Sequence, residues 1–188
     1  AESKLLQLEL WQQGDASLYT DEKLARRLKL RRDRRVAAAL QMFWETAQRS
    51  YGDGAIDGGT LSFEGYSEMF HRLYRIILRT YDAADADVAV RADWTNDTQG
   101  GASLSQQAFF DSLFELADMW TAGICPYEYA VFLTSLFDKI AKVVQTTTAG
   151  FRTSHHIWKD RQDCVHDAAM FGDDDDDEKE EKEKEKEK

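Results

Sequence analysis

The sequence repeats itself at an interval of 43 residues. That feature constrains the fold more than any local signal, because a repeated supersecondary unit dictates how its copies pack. Gly58-Gly59-Thr60-Leu61-Ser62 stands against Gly101-Ala102-Ser103-Leu104-Ser105. Tyr66 then aligns with Phe109, Phe70 with Leu113, Leu73 with Leu116 and Ile77 with Trp120, while Tyr51 aligns with Trp94 upstream. Any amphipathic helix repeats at three and four residues. That does not explain why a glycine, an apolar residue and a capping serine precede both helices in one register. Ile124 opens the exit half a third time, followed by Tyr129, Leu133, Leu136 and Ile140 at the same offsets.

Caps and breakers set the boundaries. Residues 1–20 read as an N-terminal helix, Ser3 to Gln13, and a linker. Residues 21–145 read as the helical domain. Thr20 is its N-cap candidate, and Asp21 and Glu22 suit the first turn of a helix dipole. From there a helical pattern runs to about Ser50 without glycine or proline, with Leu24, Leu28, Val36, Leu40, Phe43 and Ala47 on its apolar stripe. Gly52 to Gly59 breaks it with four glycines in eight residues. A helix follows Ser62, a weaker one spans Ala83 to Trp94, and Asn96 to Ser103 is a polar loop. Ser105 caps a strongly apolar helix through Trp120, and Pro126 opens another to about Val144, proline being favoured at a first helical position. Residues 146–172 read as a loop and a short helix, Thr153 to Met170, with Trp158 and Val165 on one face. Residues 173–188 read as a disordered charged tail. No strand pattern longer than a few residues appears, so the predicted class is all-α, a tandem helix-loop-helix pair with flanking helices.

At these residues the chain resembles the EF-hand superfamily. Two helix-loop-helix units about forty residues apart, with an apolar residue late in each loop, match that family's paired arrangement over roughly residues 21–145. The resemblance implies that Leu61 and Leu104 meet in a short antiparallel bridge joining the loops. It is poor in ligands. A calcium loop needs oxygen ligands at positions 1, 3, 5, 9 and 12 and glycine at 6. From Asp53, the first loop places Asp57 at 5, Gly58 at 6 and Glu64 at 12, but Ala55 at 3 and Leu61 at 9. If Leu61 is set to the family's apolar position 8, nearly every ligand vanishes. In the first register, the second loop offers Asn96, Thr98, Gly100 and neutral Gln107. No calcium cofactor is expected, and Asp53, Asp57 and Glu64 are the residues a residual site would use.

Charge narrows the partners. The net charge is −11, of which the last sixteen residues contribute −6 through eleven acids and five lysines. Overall acidity and the lack of a stacking platform argue against nucleic acid. No apolar run approaches the ~18 residues of a membrane helix, so no membrane is expected. No secretory signal pattern opens the chain. Cys125 and Cys164 form no CxxC pair, which fits a reducing, cytoplasmic setting. Residue 1 is Ala, so either the initiator has been removed or the chain is a piece of a longer polypeptide. Against this acidity, Lys23 to Arg35 holds eight bases and one acid. A solvated helix face is the plain reading. Arg26, Arg27, Arg31, Arg32, Arg34 and Arg35 are also dense enough to face an acidic surface, either another protein's or the chain's own tail.

Chemistry-bearing motifs are scarce. Gly52-x-Gly54 follows a helix and lacks the GK[ST] ending of a phosphate loop. Among His155, His156, Cys164 and His166, only the last pair approaches zinc spacing, so a polar helix with a buried cysteine is expected instead. There is no GxSxG and no HExxH, and no enzyme is expected. Phe109, Phe110, Phe114, Trp120, Tyr129 and Phe132 lie on helices apolar nearly all round. Core packing explains them, and the EF-hand resemblance adds helix-in-groove binding of a partner helix. Leu113 to Thr121, with Ile124 and Tyr129 to Leu133, also resembles helical segments of cilium- and flagellum-associated EF-hand-like proteins. That resemblance implies an axonemal protein-interaction or scaffold role, with tubulin as one acidic cytoskeletal partner. The rivals are a true calcium sensor and a regulatory segment of a larger enzyme.

Overall fold

A computed structural model describes residues 26–27, 29–52, 59–121 and 123–171. The expected N-terminal helix, Asp53, Asp57 and the tail 173–188 lie outside the described residues. Helix α1, Arg34–Tyr51, is the central element. Val36, Ala39, Leu40, Phe43, Trp44 and Ala47 form its buried stripe, the three-four spacing of one helical face. The continuous helix expected from Thr20 to Ser50 is interrupted at Arg31 to Asp33. Asp33 is the cause: its carboxylate accepts from the Arg35 N–H at 2.9 Å and restarts the helix as an N-cap.

The repeat appears in three helices of equal length. Helix α2, Phe63–Ile77, and helix α4, Gln106–Trp120, each have 15 residues. Ser62 accepts from the Gly65 N–H and Ser105 from the Ala108 N–H, both at 3.3 Å. Helix α5, Pro126–Ile140, also has 15 residues, but its N-cap Cys125 makes no capping bond. Tyr66, Phe70, Leu73 and Ile77, then Phe109, Leu113 and Leu116, then Tyr129, Leu133, Leu136 and Ile140 are all buried. Helix α3, Ala83–Asp97, begins at Asp82, which accepts from the Ala84 and Asp85 N–H groups. The predicted bridge is present: strands β1, Thr60–Leu61, and β2, Leu104–Ser105, pair antiparallel with Leu61 opposite Leu104. Helix α1 packs most extensively on α5 and also touches α2 and α4.

The fold is predominantly helical, not all-α. Where a loop and a helix were expected over 146–172, strands β3, Ala141–Thr148, and β4, Phe151–Trp158, form an antiparallel hairpin with Ala141 opposite Trp158 and Thr148 opposite Phe151. Val143, Val144 and Thr146 to Thr148 are β-branched and favour a pleated strand over a helix. Ala149 and Gly150 form the two-residue turn, with φ of 51° and 83°, the mirror-image turn whose twist suits a hairpin. The hairpin base is anchored by Trp158, whose ring meets Phe137 edge-on at 6.1 Å. A 3₁₀ turn, Arg161–Asp163, and a single helical turn α6, Ala168–Phe171, complete the described residues. This segment is tied to α2 by backbone: Asp167 N–H donates to Ile76 O at 3.0 Å.

Candidate interaction surfaces

The basic segment is docked onto the body, not solvated all round. Arg27 lies in a helical stretch and Arg31 in the turn just after it, and both face α4. On α4, Asp111, Glu115 and Asp118 form a matching acidic stripe. Arg27 Nε donates to Asp118 at 2.8 Å, and Arg31 pairs with Asp111 and reaches Glu115 at 3.7 Å. Arg31 also lies over the Phe114 ring, 4.8 Å from its centroid, a cation–π arrangement. The segment therefore runs antiparallel to α4. Arg35 grips Asp33 with two bonds, of 3.0 and 3.1 Å. That side-chain bonding holds the Asp33 carboxyl below the usual range. Arg26, Lys29, Arg32, Arg34 and Arg35 are exposed. Of the predicted six arginines, Arg27 and Arg31 thus serve the fold. The acidic spacing Asp111, Glu115 and Asp118 on α4 is the signal in the sequence from which this docking could have been read.

Of the six candidate binding residues, Phe109, Phe114, Tyr129 and Phe132 are buried in the chain's own core. Phe109 meets Trp44 edge-on at 5.2 Å, and Phe114 lies 5.2 Å from Tyr129. The Tyr129 hydroxyl donates to Asp118; burial and then that carboxylate push its pKa up to about 12. Phe110 and Trp120 are half-buried. Trp120 lines an open groove with Tyr127, Val131, Phe132 and Met170. The Phe171 ring meets Trp120 edge-on at 4.8 Å. Lys139 and Asp167 are ion-paired beside it.

The hairpin was not foreseen as a surface. Val143 and Phe151 are 60% and 77% exposed, so two large apolar side chains stand in water on one projecting element. Its distal residues Gln145 to Thr147 and Phe151 to Ser154 are exposed as well. His155 and His156 lie on β4 and Cys164 beyond it, so the expected polar helix carrying them is absent. His156 packs edge-on to Phe137 at 5.0 Å, Cys164 is buried, and His166 Nδ1 lies 3.0 Å from Ile76 O. Among the described residues no three His, Cys, Asp or Glu side chains converge as a metal site. Glu64, from the candidate calcium loop, is exposed in the first turn of α2.

A polar network under the hairpin base was also invisible in sequence. Glu68 accepts from Arg72 and Arg161, each at 2.6 Å. Burial alone would raise the Glu68 pKa, but hydrogen bonds from Arg161 and Arg72 outweigh it and hold the carboxyl low. Arg72 Nε further donates to Lys159 O at 2.7 Å. His71 is buried, with Nδ1 2.7 Å from the Tyr81 hydroxyl and Nε2 3.0 Å from Asp87. Burial and then the Arg161 charge lower its pKa, against the pull of Asp87. Tyr66 donates to Asp97 at 2.7 Å and Tyr74 donates to Asp93. These bonds tie α2 to α3, and burial raises both phenol pKa values far above the ordinary one. No helix among the described residues is long and apolar enough to cross a membrane.

No protein-family model, curated protein or solved structure matches the chain.

Proposed function

We propose that this chain is a non-catalytic protein-interaction or scaffold module. Its scaffold is a calcium-degenerate, EF-hand-like pair of helix-loop-helix units, and its contact element is the hairpin. The observation that carries this reading is the hairpin itself. It projects from a well-packed helical body with Val143 and Phe151 exposed, and its strands have no further strand beside them among the described residues. Two-stranded hairpins are only marginally stable in water. An exposed edge presents unpaired backbone groups that accept an extended segment of a partner. A partner strand with apolar residues at alternate positions would cover Val143 or Phe151.

The test is affinity purification of the native chain beside Val143→Asp and Phe151→Asp. Neither side chain is part of the core, so folding should be unaffected by thermal melting. Loss of the same co-purifying proteins from both variants supports the reading. Full retention of every partner by both defeats it. The resemblance of residues 113–133 to cilium- and flagellum-associated proteins makes axonemal components, in a cytoplasmic or ciliary setting, the first partners to assay. The exposed cations make tubulin the second, by co-sedimentation with microtubules at rising salt.

A calcium-binding regulatory protein is the second reading. One observation favours it: the Leu61–Leu104 pair joins the strands that lead into α2 and α4, and Glu64 is exposed in the first turn of α2.

A further inference from the structure

The hairpin is the acid-free part of an acidic chain. No Asp or Glu stands between Asp138 and Asp160, while Lys139, Lys142, Arg152 and Lys159 fall inside that span. Lys139 is paired with Asp167, and Lys159 donates to Asp138 O. Lys142 and Arg152 form no ion pair among the described residues. Arg152 instead reaches across to β3, where it donates to Gln145 Oε1 at 2.6 Å.

The ladder fixes which backbone groups of this element are open. The Lys159 N–H donates to Ile140 O at 2.8 Å. Hydrogen-bonded and non-hydrogen-bonded pairs alternate along an antiparallel ladder. With Ala141 opposite Trp158 and Val143 opposite His156, the residues bonded inward are Lys142, Val144 and Thr146. The N–H and C=O groups of Val143, Gln145 and Thr147 therefore point out along the β3 edge. Those of Arg152, Ser154 and His156 point out along the β4 edge. The β3 edge is the more open one. Lys142, Val143 and Gln145 to Thr147 are exposed, whereas β4 is half-buried from His155 to Ile157 and packs against α1. Successive side chains alternate faces, so Val143 lies on one face of β3 and Lys142 on the other.

We propose that the β3 edge, Lys142 to Thr147, binds an extended acidic segment of another protein, in which acids alternate with apolar residues. Such a strand bonds the outward amides and carbonyls of Val143, Gln145 and Thr147. It sets its acids beside Lys142 and its apolar side chains beside Val143. Arg152, held over Gln145, adds a second positive charge at that edge. A second copy of this chain fits worse, because its own hairpin has no acid to offer. This inference rests on the hairpin as the contact element and names the chemistry of its partner.

The test is fluorescence anisotropy of a labelled peptide of alternating Glu and Val, titrated with the full chain. At about 0.15 M salt the screening length is about 8 Å, so charges elsewhere on the body are largely screened. The Glu–Val peptide should bind more tightly than a Gln–Val peptide. Lys142→Glu should weaken the Glu–Val peptide by about tenfold and leave the Gln–Val peptide nearly unchanged. Gln145→Pro removes an outward N–H that makes no bond within the hairpin, the place where an edge strand tolerates proline. It should abolish binding, and Ser154→Pro, its equivalent on β4, should not. Equal binding of the two peptides, or no binding of either, would overturn the proposal. So would loss of binding in Ser154→Pro but not in Gln145→Pro. Sedimentation velocity covers the second copy: self-association that disappears in Gln145→Pro would give the edge to this chain itself and overturn the acidic partner. If proteins are lost from Val143→Asp and Phe151→Asp while the peptide fails to bind, the hairpin reading stands and the acidic strand alone is removed.

Discussion

Leu61 lies directly opposite Leu104 in an antiparallel pair, and both side chains are fully buried. This contact joins the two halves of the repeat at equivalent positions, 43 residues apart. Leu61→Ala and Leu104→Ala should each cost about 2–5 kcal/mol, the range for deleting a buried leucine where the site cannot collapse. The double variant should be non-additive by roughly 0.5–3 kcal/mol, because the two share one cavity. Urea denaturation of the four species measures both quantities. Strict additivity would mean that the halves are not coupled through this pair.

Gly65 sits one turn from that pair, and here the two copies differ. A Cβ at Gly65 would lie 2.6 Å from Leu61 Cδ1 and 2.6 Å from Tyr51 Cβ. Its counterpart in the second copy is Ala108. Alanine is the better helix former by about 1 kcal/mol, but overpacking a tight core site costs typically 1–3 kcal/mol. Steric crowding should prevail, and Gly65→Ala should lower the denaturation midpoint. A raised midpoint would show that Leu61 and Tyr51 yield freely.

The hairpin turn carries a correctable flaw. Ala149 has a positive φ, where an L-residue other than Asn, Asp or Gly pays roughly 1–2 kcal/mol. Ala149→Asn should stabilise the hairpin by on the order of 1 kcal/mol, since Asn-Gly is the favoured pair for this turn. Gly150→Ala should destabilise it, and for conformational reasons alone, because nothing lies within 4 Å of the added Cβ. Amide hydrogen exchange of residues 142–157 reads the effect locally, since such an element can open without global unfolding.

The halves of the repeat were legible because capping and periodicity are local. Ser62, Ser105 and the apolar offsets are each read within a single helix and its cap, whereas the Leu61–Leu104 pairing is what the EF-hand resemblance implies. The interruption at Asp33 was missed because an acid inside a basic run reads as one more surface charge, while its role is to cap. The hairpin was missed because Ala149-Gly150 is not Asn-Gly, although Val143 to Thr148 carried the β-branched signature. The candidate binding face was legible only in part. A helix apolar all round announces burial but not which side a partner could reach, and the core takes Phe109, Phe114, Tyr129 and Phe132. The Glu68–Arg72–Arg161 network joins residues up to 93 apart, which no local pattern encodes.

His71 should make stability fall in mild acid. Its folded pKa lies below the ordinary histidine value of about 6.5. The unfolded chain therefore takes up the proton first as pH drops. The stabilisation is fully present above about pH 6.5 and is lost as pH falls through the folded pKa. Glu68, Asp33 and Asp167, whose carboxyls are held low, act in the same direction only below about pH 5. From pH 7 to 5 the loss is carried by His71, while Glu115, whose carboxyl burial raises, acts in the opposite direction as it takes up its proton. Urea midpoints should decline across this window in the native chain and much less in His71→Gln. Equal slopes would remove His71 as the sensor.

Calcium should bind weakly at most, and the second loop should not bind it at all. Helix α3 runs through Asp97, so Asn96 is in a helix and not in a loop. The Thr98 hydroxyl donates to Trp94 O at 2.7 Å, and the Gln107 amide donates to Asp111 at 3.2 Å. Asp97, the nearest acid, accepts from Tyr66. Gln99 and Gly100, both at positive φ, close the helix in a Schellman turn: the Gly100 N–H donates to Thr95 O at 2.9 Å and the Gln99 N–H to Asn96 O at 3.1 Å. The backbone and side chains that would face an ion are thus spent on ending α3. A calcium site needs six to eight oxygens, several of them charged. Calorimetric titration at micromolar calcium should show no heat. Heat that vanishes in Asp53→Ala would establish a site in the first loop and favour the calcium-sensor reading. Heat that survives Asp53→Ala but vanishes in Asp97→Asn would mean that the second loop opens its helix end to take the ion.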